Sequence, residues 1–455
     1  MMALFARHAL LPEGWRGDVL VEWDSKGDLV RVQAGASPRL GVARADYVVP
    51  GMVNLHSHAF QRAMGGLTEK LGDGPDSFWT WRELMYRFAG RISPAQLEAI
   101  AAQLYVECLR HGYTSVCEFH YLHRDPNGAT YARPAEMAER IATGAQQAGI
   151  GMTLLPVLYS HAGFGEQPLR PEQQRFRSDV ALVLAIAESL EQLRGGQFEV
   201  GAAPHSLRAA GAAQVRELAA SLPHGRPLHI HVAEQQAEVE QCLAACGKRP
   251  VEYLMERVGV DEHWCLVHAT HLVDEEVEAL ATSGAVAGLC PTTEANLGDG
   301  LFPLASYIEA GGQFGIGSDS HVSQSPVEEL RWLEYGQRLL RQRRNVAATR
   351  DRPDVGQYLW QEALRGGAQA AGRRVGALEA GRRADLLVLD GAHPNLEGVA
   401  DEDVLGRFIF CGNDNLVRDV LAGGHWVVQG ARHIAQDAIA ERYRHAIHQL
   451  REVRP

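Results

Sequence analysis

Lysine is scarce in this chain. It stands only at Lys26, Lys70 and Lys248, so arginine supplies the other 41 of the 44 basic residues. Positive charge is not in excess either: 56 acidic residues leave a net charge of −12, which excludes a protein that neutralises nucleic-acid phosphates. No apolar run approaches the roughly 20 residues of a membrane-spanning helix. The opening MMALFARHALLPEG breaks its apolar stretch at Arg7 and His8 and shows no cleavage pattern. A soluble, cytoplasmic protein is therefore expected. The seven cysteines form no paired framework, as reduced thiols would have it. Cys242 and Cys246, one helical turn apart, read as core packing. No low-complexity tract, Pro/Ser-rich linker or solenoid repeat interrupts the chain. Its 46% hydrophobic and 22% charged residues rule out a disordered or fibrous protein.

What is present is a change of period. Up to about residue 48, short alternating runs surround the hairpin signal Asp24-Ser25-Lys26-Gly27. From 49 to 375, apolar runs alternate with longer helical patterns. The runs are YVVPGMVNLH, YTSVCEFHY, IGMTLLPVLYS, FEVGAAPHS, PLHIHVAE, CLVHAT, AVAGLCP and FGIGSDS, and SPAQLEAIAAQLYVECLRHG is the clearest of the helices. Strand then helix, repeated about eight times, predicts an α/β chain: a (β/α)8 TIM barrel over 49–375. After it, AGRRADLLVLDG and LVRDVLAGGHWVVQGARH return to short strands, followed by a terminal helix. Residues 1–48 and 376–455 are expected to join in one small β-sandwich packed rigidly on the barrel.

The polar residues of the barrel runs fall at strand ends, where barrel active sites are built. His56 and His58 close the first strand, and the period of two turns both to one side. His229 and His231 repeat that spacing on the fifth strand, with Glu234 three residues beyond. His268 ends the sixth and Asp319 the eighth. Singly, each is explained as a hydrogen-bonded strand-end side chain. Jointly, imidazole nitrogens and a carboxylate converging at one barrel mouth suit a borderline divalent metal, zinc or iron, with a position left for water. His229 reads as a core residue.

The order His-x-His, His-x-x-Glu, His, Asp resembles the amidohydrolase superfamily over the whole chain, and VVPGMVNLHSH and GRRADLLVLD fit that layout. The resemblance implies that His56, His58, His231 and Asp319 bind one divalent metal, most simply Zn2+, with Fe2+ as the alternative. Binuclear members need a bridging lysine, and none of the three lysines stands at a strand end, which leaves Glu118 as the only other bridge. The mononuclear reading matches the deaminase branch. It assigns Asp319 to accept the proton of the attacking water, His268 to orient that water and hold the tetrahedral intermediate, and Glu234 to protonate nitrogen.

Specificity is expected from arginines in the loops, whose planar guanidinium suits carboxylates. The strings NLHSHAFQRAM, FWTWRE, CEFHYLHRDPNG, APHSLRA and HVAEQ resemble the formimidoylglutamate deiminase family of that branch. That resemblance implies a dicarboxylate amidine substrate. It places Arg82 and Arg208 against the carboxylates, with Gln61, Tyr121 and His205 around the rest of the molecule. A deaminase of guanine or a related heterocycle is the rival, and an inactive scaffold the reading from a different class. Barrels of this layout often dimerise through surface helices, so a homodimer is expected. The long loops after strands one and three suggest a covered site.

Overall fold

The computed structural model describes residues 1–71 and 77–452. Four strands come first: β1 Met2–Leu11, β2 Gly14–Trp23, β3 Leu29–Gln33 and β4 Ala43–Pro50. The barrel follows with β5 Met52–Ser57, β6 Tyr113–His120, β7 Gly151–Leu158, β8 Phe198–Val200, β9 Ala203–Pro204, β10 Leu228–Val232, β11 Trp264–His268, β12 Val286–Leu289 and β13 Gln313–Ile316. Finally β14 Leu386–Leu389, β15 Val417–Ala422, β16 His425–Gln429 and β17 Arg432–His433 precede the terminal helix Gln436–Glu452.

The barrel strands pair in parallel within two halves, β5 to β8/β9 and β10 to β13. Parallel bridges Ser57–Asp319, Ala202–Leu228 and Ser206–His231 close the halves into a ring. Eight strand positions result, because β8 and β9 share one. Gly201 separates them where a Cβ would lie 2.3 Å from the carbonyl oxygen of Pro227. Every residue of β6, β7, β10 and β11 is buried, so neither face of these strands is left to solvent, as in a barrel wall covered by helices.

Helix α1 (Phe78–Ala89) lies over the barrel mouth, and α2 (Pro94–His111) feeds β6. α2 shows why this sequence starts and stops where it does. Ser93 accepts from the amide of Gln96, whose side chain accepts from the Ser93 amide; Pro94 opens the first turn, and Gly112 at φ +110° ends it.

Both chain ends join in one eight-stranded sheet, ordered β17-β16-β15-β14-β4-β1-β2-β3. β1 pairs β4 in parallel, while β14 pairs β4 antiparallel with Leu386 opposite Pro50. The sandwich expected from sequence is this single sheet folded over. Trp23 on β2 and Trp426 on β16 would be roughly 24 Å apart across five flat strand spacings. Their rings instead lie 6.5 Å apart, and Trp23 Nε1 donates to the carbonyl oxygen of Gly424. The folded sheet encloses a small core of its own, including Leu4, Val19, Val21, Leu386, Val388 and Leu421. All seven cysteines are free thiols, with Cys242 fully buried. Among the described residues no helix is long and apolar enough to cross a membrane.

Candidate metal centre and active site

The end of β5 delivers His56 and His58 to one point, and β10 brings His231 to the same point. Nε2 of His56 lies 3.1 Å from Nε2 of His58 and 2.9 Å from Nε2 of His231. Two of these three rings have their protons fixed elsewhere. Nδ1 of His58 faces the carbonyl oxygen of Phe119 at 3.0 Å, and Nδ1 of His231 faces that of His205 at 2.9 Å. A carbonyl only accepts, so each ring donates from Nδ1 and presents a bare lone pair at Nε2. Asp319 Oδ1 completes the group, 3.2 Å from Nε2 of His58 and 3.5 Å from Nε2 of His56. Crowded lone pairs and a carboxylate repel one another unless a cation sits between them. Ligands about 2.0–2.1 Å from a tetrahedral ion stand about 3.3 Å apart, close to these separations. The residues fit a divalent metal, and burial of the three rings, pushing all of them toward the neutral ligating form, agrees.

Asp319 is held in place from behind. Asn54 on β5 donates from Nδ2 to Ser318 Oγ (2.6 Å) and accepts from the Ser318 amide (2.9 Å), stapling the end of β13 to β5. Burial alone would raise the Asp319 carboxyl, but the facing imidazoles of His56, His58 and His268 hold it below the usual carboxylate range. Its φ of +44° and that of His268, +68°, lie in the left-handed region that such residues rarely occupy. Strain of this kind, about 1–3 kcal/mol per residue, collects where function fixes a side chain.

His268 Nε2 looks toward Glu234 Oε1 at 3.8 Å and Asp319 Oδ2 at 3.9 Å, and its Nδ1 lies 3.3 Å from Glu294 Oε1. Burial opposes its charge, but these three carboxylates push the ring up to about 10. Glu234 shows the opposite response: burial raises its carboxyl, against the pull of His268 and Arg208. A buried carboxyl of raised pKa beside a cationic ring suits the delivery of a proton.

The alternative bridging group, Glu118, is engaged elsewhere, and Lys248 lies away from the cluster. Glu118 accepts from Ser57 Oγ (2.5 Å), Tyr105 Oη (3.0 Å) and the Ala59 amide (2.7 Å), which saturates it behind the ligands; burial pushes it up to about 7. Lys248 pairs with Glu252 and Glu256 at the surface. His229, on the strand face shared with His231, instead reaches the carbonyl oxygen of Ala370 at 2.8 Å in the core.

A cavity of about 60 Å³ opens from the cluster, and all five residues expected around the substrate line it: Gln61, Arg82, Tyr121, His205 and Arg208. Gln61 Nε2 donates to Tyr121 Oη at 3.0 Å, leaving the phenolic hydrogen free, and Gln61 Oε1 is buried without a partner. Arg208 lies 3.4 Å from Glu234 Oε2 and 3.9 Å from Glu238, and its Nε has no partner. Arg82 stacks on Trp79 with its guanidinium carbon 4.4 Å from the ring centroid; among the described residues no carboxylate pairs with it, and its Nε too is unpartnered. α1 roofs the cavity with Phe78, Trp81 and Met85.

Sequence reasoning missed Glu294, Glu238, Tyr86, Tyr159 and Gln173. Glu294 stands four residues after Cys290, whose amide it also accepts (2.8 Å). Nothing in its spacing from His268 signals the contact, because β12 lies between them. Tyr159, the last residue but one of the third strand run, was the one within reach of a strand-end argument.

A model of the amidohydrolase family matches residues 47–427, and one described as formimidoylglutamate deiminase HutF, N-terminal domain, matches residues 1–44. The chain is 52% identical over 448 residues to the formimidoylglutamate deiminase of Pseudomonas aeruginosa, covering 97% of this chain and 98% of that protein. Among solved structures, an amidohydrolase from Brucella melitensis superposes with a TM-score of 0.93 at 44% identity, over 99% of this chain and 100% of that one. An adenosine deaminase from Xanthomonas campestris with bound zinc superposes with a TM-score of 0.81 over 99% of each chain; at 21% identity that likeness is one of fold.

Proposed function

The chain belongs to the amidohydrolase family, and from that premise we propose that it hydrolyses N-formimidoyl-L-glutamate to N-formyl-L-glutamate and ammonia, a step of histidine degradation. The observation that carries the substrate is the pair Arg82 and Arg208, both lining the cavity beside the histidine cluster. A neutral heterocycle has no use for two cations there, whereas a linear amidine with two carboxylates does.

His56, His58, His231 and Asp319 would hold one divalent ion, zinc first and iron second. Such an ion supplies Lewis acidity and brings the pKa of water from about 15.7 toward about 7. The remaining work falls to side chains. Arg82 and Arg208 bind the carboxylates. Gln61 Oε1 accepts an N–H of the amidine, while the free hydrogen of Tyr121 and the ring of His205 position the rest. Asp319 takes a proton from the attacking water, and His268 donates toward the oxygen of the tetrahedral intermediate. Glu234 protonates the imino nitrogen and then the departing ammonia, so the two protons water loses are the two that nitrogen gains. α1 keeps bulk water out. In this reading residues 49–375 are the catalytic unit, and 1–48 with 376–455 form the β-domain beside it.

The test is ammonia release by purified, metal-quantified protein on N-formimidoyl-L-glutamate, run beside guanine. Turnover of the first alone, with about one metal per chain, is expected; turnover of guanine alone sinks the proposal. Arg208→Ala should raise KM about 10–100-fold, the loss of a hydrogen bond to a charged group.

We also propose a cytoplasmic homodimer. The helix Pro326–Arg341 exposes Trp332, Tyr335, Leu339 and Leu340 along one face. Its first turn carries exposed Glu328, and its last residue, exposed Arg341, is followed by exposed Arg343 and Arg344, so two copies packed antiparallel bring opposite charges together. Light scattering should show a dimer that Leu339→Asp with Leu340→Asp halves in mass; an unchanged mass would move the interface elsewhere.

A further inference from the structure

The cavity wall carries, besides the histidine cluster, a hydrogen-bond unit that the mechanism above leaves unused. Gln173 is fully buried on the single turn Pro171–Gln173 in the loop after β7. Its Oε1 accepts from the Arg170 amide at 2.9 Å, which fixes the direction of the amide. Nε2 therefore faces inward, where it lies 2.9 Å from Tyr159 Oη and 3.2 Å from Tyr86 Oη. The two hydroxyls lie 3.3 Å from each other, and both rings line the cavity.

Counting hydrogens decides what this unit does. Both hydrogens of Nε2 are donated, one to each phenol oxygen. Between the phenols one hydroxyl donates to the other. One phenolic hydrogen is left, and among the described residues neither hydroxyl has a further acceptor. The surroundings are cationic: the Arg82 guanidinium carbon lies 5.5 Å from the Tyr86 ring centroid, and Arg208 lines the same cavity. A spare donor among guanidinium groups suits an anionic oxygen.

We propose that Tyr86 and Tyr159, aligned by Gln173, form a specificity element that binds one carboxylate of the substrate alongside the arginines. This rests on the proposed deimination of N-formimidoyl-L-glutamate. Gln173 is a positioning residue, since it reaches the substrate only through the phenols. The unit reads a carboxylate by direction as well as charge: a guanidinium accepts anions from several angles, whereas one O–H donates along one line.

The experiment uses the full-length, metal-loaded enzyme with Tyr86→Phe, Tyr159→Phe and Gln173→Glu, each checked by thermal melting. In the last variant the new carboxylate would take both phenolic hydrogens and turn them away while both rings stay in place. KM for N-formimidoyl-L-glutamate should rise about 10–100-fold in at least one phenylalanine variant and in Gln173→Glu, with kcat within about threefold. Two analogues locate the contact: N-formimidoyl-4-aminobutyrate lacks the α-carboxylate, and N-formimidoyl-2-aminobutyrate lacks the side-chain carboxylate. With one of them, read as KM or as an inhibition constant, variant and wild type should become equal. Wild-type turnover with KM unchanged in all three variants overturns this proposal alone. So does a penalty that persists with both analogues, or a fall in kcat with a lowered melting point and unchanged KM. Wild-type protein inert on N-formimidoyl-L-glutamate overturns the underlying reading, and this one with it.

Discussion

Replacing Glu234 by glutamine should lower kcat by about 10²–10⁴-fold, the contribution of a positioned proton donor. The substitution is nearly isosteric, and the buried Arg208 keeps Glu238 as a counter-ion at 3.9 Å. What is lost is the carrier of a proton. Burial holds the Glu234 carboxyl above its ordinary range, so it can arrive protonated at an imino nitrogen and be recharged before ammonia leaves. An amide can do neither. Because Glu234 is not among the ligands, bound metal should stay at the wild-type level. Steady-state kinetics with metal quantification checks both halves. A kcat within tenfold of wild type would remove Glu234 from proton transfer, and a loss of metal would reassign it to the cluster.

Stripping the metal with a chelator should abolish turnover, and one equivalent of zinc or iron should restore it. The protein should remain folded throughout, because the main core runs through the whole barrel and owes nothing to the ligands. It should nevertheless melt lower. The stripped cluster forces the His58 and His231 lone pairs against Nε2 of His56, and that of His58 against Asp319, a repulsion absent from the unfolded chain. An ion that binds only the folded state also adds stability in proportion to the logarithm of its concentration over Kd. Calorimetry with and without metal measures the difference. Equal melting points together with undiminished activity would show that no ion works there.

Most of this architecture is legible in the chain because barrel strands are buried on both faces. Runs such as IGMTLLPVLYS and PLHIHVAE carry no competing helical period, and the polar residues that reach the cavity stand at or just beyond the strand ends. The residues brought together at the barrel mouth were readable for that reason: His56 and His58 obey the strand period, and Asp319 ends an apolar run. Other features have no such local signature. The division of FEVGAAPHS into β8 and β9 follows from the approach of the Pro227 carbonyl to Gly201, a contact with a residue 26 positions on. The fold-over of the outer sheet depends on Trp23 meeting Trp426, which no short-range pattern reports. Glu294 reaches His268 across an intervening strand, and Gln173 reaches Tyr86 from a loop with no repeating pattern. Supporting groups of this kind are placed by tertiary geometry, whereas the ligands are placed by secondary structure.

The pairing of β4 with β14 governs how the chain can be made. When the ribosome has released β1 to β4, one edge of β4 is a row of open backbone donors and acceptors, and its partner does not yet exist. Leu386 follows Pro50 by the whole barrel, so at about 5–20 residues per second that edge stays bare for roughly 17–67 s. An uncovered edge invites pairing with another nascent chain. Release of the chain before residue 386 makes that exposure permanent, so C-terminally shortened forms should accumulate as aggregates even when every metal ligand has been synthesised.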